Sequence, residues 1–255
     1  MTRDQNAPDS LARIGEAPKV DPSSVWSALA DAWEDLFPLR EPRTALCRTL
    51  IAPGGAFLDA GCGTGALVRA LWQDGIDALG FDLDPGFVEV ASRTLPGERV
   101  VRGDLREIAS VFPKRRFEAI ACLGQTFPHL LTDFDVASFL VGARSRLAQE
   151  GMLVLQVVSD AGVLPQRELP PLEAPGLRLE RRRRVGDENR AWLDLRIVRG
   201  ELVHEWTVEH RVWTPESLGE VARDAGFVVK WLAADEAGKS WTGQEPGFLQ
   251  AFVPA

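Results

Sequence analysis

Ala56-Phe57-Leu58-Asp59-Ala60-Gly61-Cys62-Gly63-Thr64-Gly65 changes character halfway along. Its first half is almost wholly apolar, as in a short strand buried on both faces. Its second half alternates glycine with small residues, and the stretch from Ala66 to Gln73 then runs with helical periodicity. Closely spaced glycines between a strand and a helix let the backbone turn sharply and approach a ligand, with the helix N–H groups aimed at it. The spacing is G-x-G-x-G. The fingerprint that cradles a dinucleotide pyrophosphate is G-x-G-x-x-G, so the third glycine comes one residue early here.

The same alternation continues on both sides. Residues 77–81 read as a second strand ending at Asp82, and Pro85 opens a helix carrying Phe87, Val88, Val90 and Ala91. Further strands are expected at 99–102, 117–123 and 152–158, with a helix over 133–148. Strands alternating with helices of this length build a parallel sheet covered on both faces. Upstream, Val25, Trp26, Leu29, Trp33, Leu36 and Phe37 fall at helical spacing until Pro38. Downstream, Pro165, Pro170, Pro171 and Pro175 mark a connection, followed by β-like runs at 177–185, 191–198 and 202–212. Gly186-Asp187-Glu188-Asn189 and Gly200 supply the turns of an antiparallel meander. A helix from Pro215 to Asp224, closed by Gly226, and strands at 227–232 and 248–253 finish the chain.

The chain has 255 residues and a net charge of −8. An acidic field disfavours polyanions, so a small molecule rather than nucleic acid is the expected partner. Cys47, Cys62 and Cys122 show neither CxxC nor Cys/His ligand spacing, which indicates no metal and no disulfide framework, and suits a reducing compartment. The first 20 residues lack an apolar run and no later stretch would span a bilayer, so a cytoplasmic protein without membrane contact is expected. A monomer or homodimer fits. Tyrosine is absent while tryptophan occurs eight times, so any aromatic wall must use Trp or Phe.

Asp82, at the carboxyl end of the second strand, stands where a carboxylate accepts both hydroxyls of a ribose. That supports a nucleoside cofactor, but NAD-binding proteins use the same device.

The D-x-G-x-G-x-G segment as a whole resembles the first motif of the class I S-adenosylmethionine-dependent methyltransferases, and the likeness extends from about Trp33 to Val158. The resemblance implies a Rossmann-like, seven-stranded, mostly parallel sheet with helices on both faces and, here, an inserted antiparallel β meander. Residues 1–22 are then a flexible segment, 23–160 with 214–255 the cofactor-binding domain, and 161–213 an insertion covering the active site. It implies S-adenosylmethionine as cofactor, held by Asp59, Ala60, Gly61, Gly63, Gly65, Asp82, Leu83, Gly103, Leu105 and Leu123. Asp104 would take the adenine amino group; its alternative role is a turn or helix cap.

Gly124-Gln125-Thr126-Phe127-Pro128-His129-Leu130, after the fourth strand, is similar to the branch of glycine/sarcosine and sugar-amine N-methyltransferases. There this loop borders the sulfonium and the acceptor, which favours N- over O-methylation and makes Gln125 and His129 acceptor-side candidates. His129 is either a base or orienter for the acceptor, or a histidine that holds the loop. In the same branch an aromatic-rich N-terminal segment closes over the cofactor. Trp33 replaces the usual tyrosine and can attract the sulfonium by a cation–π contact of about 0.5–2 kcal/mol, or simply serve as core. Arg40, with Arg43 competing, would fork the methionine carboxylate.

Along 202–212, Glu205, Thr207, Glu209 and Arg211 share one strand face, and Leu202, His204, Trp206, Val208, His210 and Val212 share the other. If that second face roofs the active site, His204, Trp206 and His210 line the acceptor pocket; otherwise they are core. The run Arg181 to Arg184 could catch an anionic group, but alternation sends its members to both faces, which favours a solvated edge. Two rivals stand beside a methyltransferase. An NAD-dependent oxidoreductase would need the longer glycine spacing and often a Tyr–Lys relay. A non-catalytic S-adenosylmethionine-binding sensor or partner subunit would keep the loop without turnover.

Overall fold

The computed structural model of the chain describes residues 22–52, 54–159, 167–186 and 189–255. The N-terminal segment expected to be flexible thus lies, through Asp21, outside the described residues. In chain order the helices are α1 (Pro22–Leu29), α2 (Trp33–Leu36), α3 (Glu41–Thr49), α4 (Ala66–Gln73), α5 (Pro85–Thr94), α6 (Ile108–Val111), α7 (Asp133–Arg146) and α8 (Pro215–Asp224). The strands are β1 (Ala56–Ala60), β2 (Asp77–Asp82), β3 (Val100–Arg102), β4 (Phe117–Cys122), β5 (Leu147–Val158), β6 (Arg167–Ala174), β7 (Leu177–Val185), β8 (Arg190–Arg199), β9 (Leu202–Arg211), β10 (Phe227–Ala233) and β11 (Gly247–Pro254).

Two sheets form, and they obey different sequence rules. The first has seven strands in the order β10-β11-β5-β4-β1-β2-β3, parallel from β5 to β3, with β11 running antiparallel to both of its neighbours. This is the expected Rossmann-like sheet. Its central strands are covered on both faces, which is why β1 and β4 are apolar apart from one carboxylate each, Asp59 and Glu118. One face packs Phe117, Phe139, Phe127 and Trp213 against α6, α7 and α8; the other packs Leu67, Val68, Leu71 and Ala91 from α4 and α5. The chain winds outward from β1 through β2 to β3, then returns to β4 on the other side of β1. Ligands of open α/β sheets bind beyond the carboxyl ends of the strands at such a reversal.

The second sheet is the meander, with order β6-β7-β8-β9, antiparallel throughout. It contains one strand more than expected. The proline-rich stretch read as a connection contains β6, an edge strand whose register with β7 shifts between Leu169 and Leu172, around Pro170 and Pro171. Proline cannot donate to a ladder and is confined to edges and bulges; β6 is both.

The segment Val25–Phe37, expected as one helix, is broken by a 3₁₀ turn at Ala30–Ala32 into α1 and α2. These short helices join the second sheet in a core of their own: Val25, Leu29 and Leu36 pack with Leu177, Leu179, Leu195, Ile197 and Val208. The meander is therefore anchored to α1 and α2. A hollow is left between it and the seven-stranded sheet.

Candidate active site

The hollow is a cavity of about 820 Å³ whose floor is the carboxyl ends of β1 to β4 and whose roof is the meander. The floor is built from backbone geometry. Gly61 and Gly65 hold φ of 80° and 75°. A Cβ on Gly61 would stand 2.4 Å from Thr126 Cγ2, and one on Gly65 would stand 2.9 Å from Leu95 Cδ1. Both positions therefore require glycine for conformation and for space. The Gly63 N–H donates to Asp82 Oδ2 at 2.8 Å and the Asp84 N–H donates to Asp82 Oδ1 at 2.9 Å, so the loop and the end of β2 fix that carboxylate from two directions.

Burial dominates the electrostatics of the floor. Desolvation pushes Asp82 up to about 6 against the pull of its backbone donors. Desolvation pushes Asp59 to about 7, with Asp82 adding to the rise and Arg43 opposing it. Burial favours the neutral form of both carboxylates, and a cation brought beside them would favour their ionised forms. Asp104 differs. It caps the turn after β3 by accepting the Arg106 N–H at 2.9 Å, its carboxylate is forked by the Arg106 guanidinium, and that pairing holds its pKa down.

α1 and α2 cover one side of the cavity and are tied to the floor at two places. Ser27 donates its hydroxyl to Asp84 at 2.7 Å, and Glu34 accepts from the Thr64 hydroxyl at 2.9 Å and from Arg69. Trp33 stands in an aromatic row with Trp26, Phe37 and Phe87, at centroid distances of 5.8, 4.3 and 4.9 Å. Its Nε1 is the nearest atom, at 3.5 Å, to the point where a Gly63 Cβ would be.

On the roof side His210, at the end of β9, is 3% exposed and meets His129 edge-on with ring centroids 4.6 Å apart. Trp26 closes the other side of His129 at 5.9 Å. Burial lowers His129 to about 4, and burial, His129 and Arg183 lower His210, so both rings are neutral at physiological pH. Gln125, in the loop after β4, has a φ of 65° next to Gly124 at 68°. A left-handed glutamine bordering a cavity is stored strain of the kind found at ligand sites.

Of the residues expected at the cofactor, Trp33, Arg40, Asp59, Gly61, Gly63, Asp82, Leu83, Gly103, Asp104, Leu105 and Leu123 line the cavity. Ala60 and Gly65 do not: the Ala60 side chain belongs to the core under the sheet, and Gly65 packs the start of α4 on Leu95 and Val100. Arg40 is exposed and its side chain makes no hydrogen bond or ion pair among the described residues, whereas Arg43 is paired with Glu236 at 2.8 Å. Among the acceptor-side candidates Gln125, His129 and His210 line the cavity, and His204 and Trp206 do not. The alternation along β9 is as read, but the cavity meets only the strand's final turn of side chains. Val208 and His210 are buried, Trp206 is half-buried beside the α1–α2 core, and His204 is exposed.

The arginine run corrects a second expectation. It is no solvated edge: Arg181 and Arg183 line the cavity while Arg182 and Arg184 face outward. The signal was in the sequence, since four arginines on a strand covering a cavity must send two of them inward. Trp26 and Phe37 also line the cavity; the sequence places them in the helical pattern of the aromatic-rich segment without singling them out as site residues. Among the described residues no group of three or more His, Cys, Asp or Glu is placed to hold a metal, and no helix is long and apolar enough to cross a membrane.

Residues 57–151 match a family described as a methyltransferase domain. The chain is 23% identical over 215 residues to a dTDP-3-amino-3,6-dideoxy-alpha-D-glucopyranose N,N-dimethyltransferase of Streptomyces fradiae, covering 80% of this chain and 82% of that one. It is 31% identical over 105 residues to a glycine/sarcosine N-methyltransferase of Aphanothece halophytica, 38% of each chain. Among solved structures, the CcbJ methyltransferase from Streptomyces caelestis superposes with a TM-score of 0.76 at 18% identity, covering 89% of this chain and 96% of that one. The sugar N-methyltransferase KedS8 from a Streptoalloteichus species does so at 0.65 and 21%, covering 98% and 99%. At these identities the superpositions speak for the fold.

Proposed function

We propose that this chain, an S-adenosylmethionine-dependent methyltransferase acting on small molecules, transfers its methyl group to the nitrogen of an amine. The observation that carries the reading is a single cavity lined by the buried carboxylates Asp59 and Asp82 on its floor and by a neutral pair, His129 and His210. The relatives named above methylate the nitrogen of an amino sugar or of glycine, which favours the same acceptor atom here.

The floor suits this cofactor on its own chemistry. S-adenosylmethionine carries an ammonium and a sulfonium, and the floor has two desolvated carboxylates whose ionised forms a neighbouring cation would favour. Asp82 would hold the ribose hydroxyls with the lone pairs its two backbone donors leave, and Asp59 the ammonium. Arg40, with no other side-chain partner among the described residues, is better placed than Arg43 to fork the carboxylate. Leu83, Gly103, Leu105 and Leu123 would enclose the adenosine, with the Asp104 carboxylate toward the adenine amino group and Trp33 covering the side nearest Gly63.

Bound S-adenosylmethionine supplies a methyl group whose sulfur departs as a neutral thioether, so the chain has no acid to provide. Its residues position the nucleophile and exclude water. An amine attacks through its lone pair and must be neutral to do so. His129 and His210, kept unprotonated by burial, can accept a hydrogen bond from the acceptor's N–H and turn its lone pair toward the floor, and neither adds a positive charge that would repel it. Trp26, Phe37 and the roof leucines make the site dry. The three cysteines are unpaired, which suits a reducing, cytoplasmic setting; a monomer or homodimer with no nucleic-acid partner is the working assembly. Incubation with methyl-labelled cofactor and a panel of amines and phenols tests the reading by mass spectrometry. Label is expected on nitrogen, and transfer to oxygen alone would overturn the choice of acceptor atom.

A further inference from the structure

The outward arginines of the roof are matched with carboxylates. Arg178 pairs with Glu173 and Glu180, Arg184 with Asp194, Arg190 with Glu209, and Arg196 with Glu180 and Glu205. Arg181 breaks the pattern: among the described residues no carboxylate lies within ion-pair distance of it, although it lines the cavity. Its guanidinium lies 5.6 Å from the Phe37 ring centroid, one Nη donates to the Pro170 carbonyl at 3.0 Å, and its Nε is enclosed without a partner. Two residues along the same strand face, Arg183 is 7% exposed and donates from Nη2 to Gln125 Oε1 at 3.1 Å. The Arg181 guanidinium, drawn partly out of water with no carboxylate among the described residues beside it, loses solvation that a strong acceptor must replace.

The cavity is polarised as a result. Asp59 and Asp82 stand at the ends of floor strands, and Arg181 and Arg183 hang from the roof. His129 and His210, which line the same cavity, are both neutral and add no charge to it. Arg106 and Arg43 are already matched with Asp104 and Glu236.

We infer that Arg181 and Arg183 form an oxyanion subsite in the roof of the cavity and that the methyl acceptor carries a phosphate or carboxylate group held there. This rests on the methyl-transfer reading and adds the chemical class of the acceptor. Residues at i and i+2 on a strand are about 7 Å apart, close enough for two long side chains to converge on one anion, and each planar fork can engage two oxygens.

The test is calorimetric titration of the chain, saturated with S-adenosylhomocysteine, with inorganic diphosphate, inorganic phosphate and acetate in separate runs. At least one anion should bind, with affinity lowered about tenfold or more by Arg181→Gln, the scale of a hydrogen bond to a charged group. Arg182→Gln on the outer face should leave it unchanged, and so should Arg181→Gln leave the affinity for S-adenosylmethionine. Preference for the phosphates or for acetate identifies the acceptor's group. Arg181→Lys, which keeps the charge but loses the fork, should fall between and carries the test if Arg181→Gln does not fold. The inference is overturned if none of the anions binds, if Arg181→Gln binds them like the parent chain, or if S-adenosylmethionine affinity falls in step with anion affinity. Failure of the methyltransferase reading itself would show earlier, as a parent chain that binds no S-adenosylmethionine.

Discussion

Floor and roof of this cavity solve the same problem, presenting polar groups inside an apolar enclosure, by opposite means. The floor uses backbone: glycines at positive φ, N–H groups aimed at Asp82, and short side chains at strand ends. The roof uses long side chains, Arg181, Arg183 and His210, projecting from strands whose other face is solvated. A backbone-built site admits few residue types at each position, whereas a side-chain-built site can be re-specified one residue at a time. The proposed function accordingly gives the floor to the cofactor, common to the chemistry, and the roof to the acceptor.

That division can be broken most directly at Asp82. Asp82→Ala should weaken S-adenosylmethionine by about 10- to 100-fold, equivalent to roughly 1.5–3 kcal/mol. At saturating cofactor the KM for acceptor should hardly change, and calorimetry beside steady-state kinetics would show whether the two separate.

The reciprocal change is His210→Ala. It should lower kcat/KM for acceptor by about tenfold, some 1.4 kcal/mol, with cofactor affinity intact. A parallel loss of cofactor affinity would mean that roof and floor do not divide the work.

Asp59 sharpens the comparison through pH. Burial raises its folded pKa from the ordinary 3.8 to about 7, so folding favours the protonated form. The stability this contributes is full below the unfolded value and is lost as pH rises to about 7. Asp59→Asn, free of cofactor, should therefore melt higher than the parent at about pH 8, the gap closing as pH falls toward about 5. Cofactor affinity of the parent should rise by up to about tenfold per pH unit below 7, because the ammonium selects the ionised carboxylate, and should be flat in the variant. A flat profile in both would remove Asp59 from the ammonium.

The smallest effect on catalysis is expected at Trp206, outside the cavity. Trp206→Ala should keep kcat/KM within about twofold while costing roughly 1–3 kcal/mol of stability, the range for removing a partly buried large side chain. A thermal melt and an activity assay on one preparation decide it.

The floor was legible in the sequence because its function is written in spacing. A glycine loop between strand and helix, with Asp82 and Asp104 closing successive strands, leaves little geometric choice. The roof was legible in period but not in extent. The alternation of β9 assigned His204, Trp206 and His210 to one face correctly, yet nothing in the period says how far along the strand the cavity reaches. Pro170 and Pro171 hid β6, because proline argues against a strand unless that strand is known to be an edge. The arginine run read as a solvated edge because alternation divides its members between two faces, and nothing in the alternation says that one of those faces covers a cavity. The break between α1 and α2 gives no signal in the apolar spacing, which continues through it.

Val25, Leu29 and Leu36 share their core with Leu177, Leu179 and Val208, and Ser27 and Glu34 latch the same helices to Asp84 and Thr64 beside the cofactor loop. Helices and meander thus share one core over the cavity and are tied to its floor through the same two helices. If cofactor and acceptor both leave past this body, an acceptor bound under the roof should prolong the residence of the cofactor on the floor.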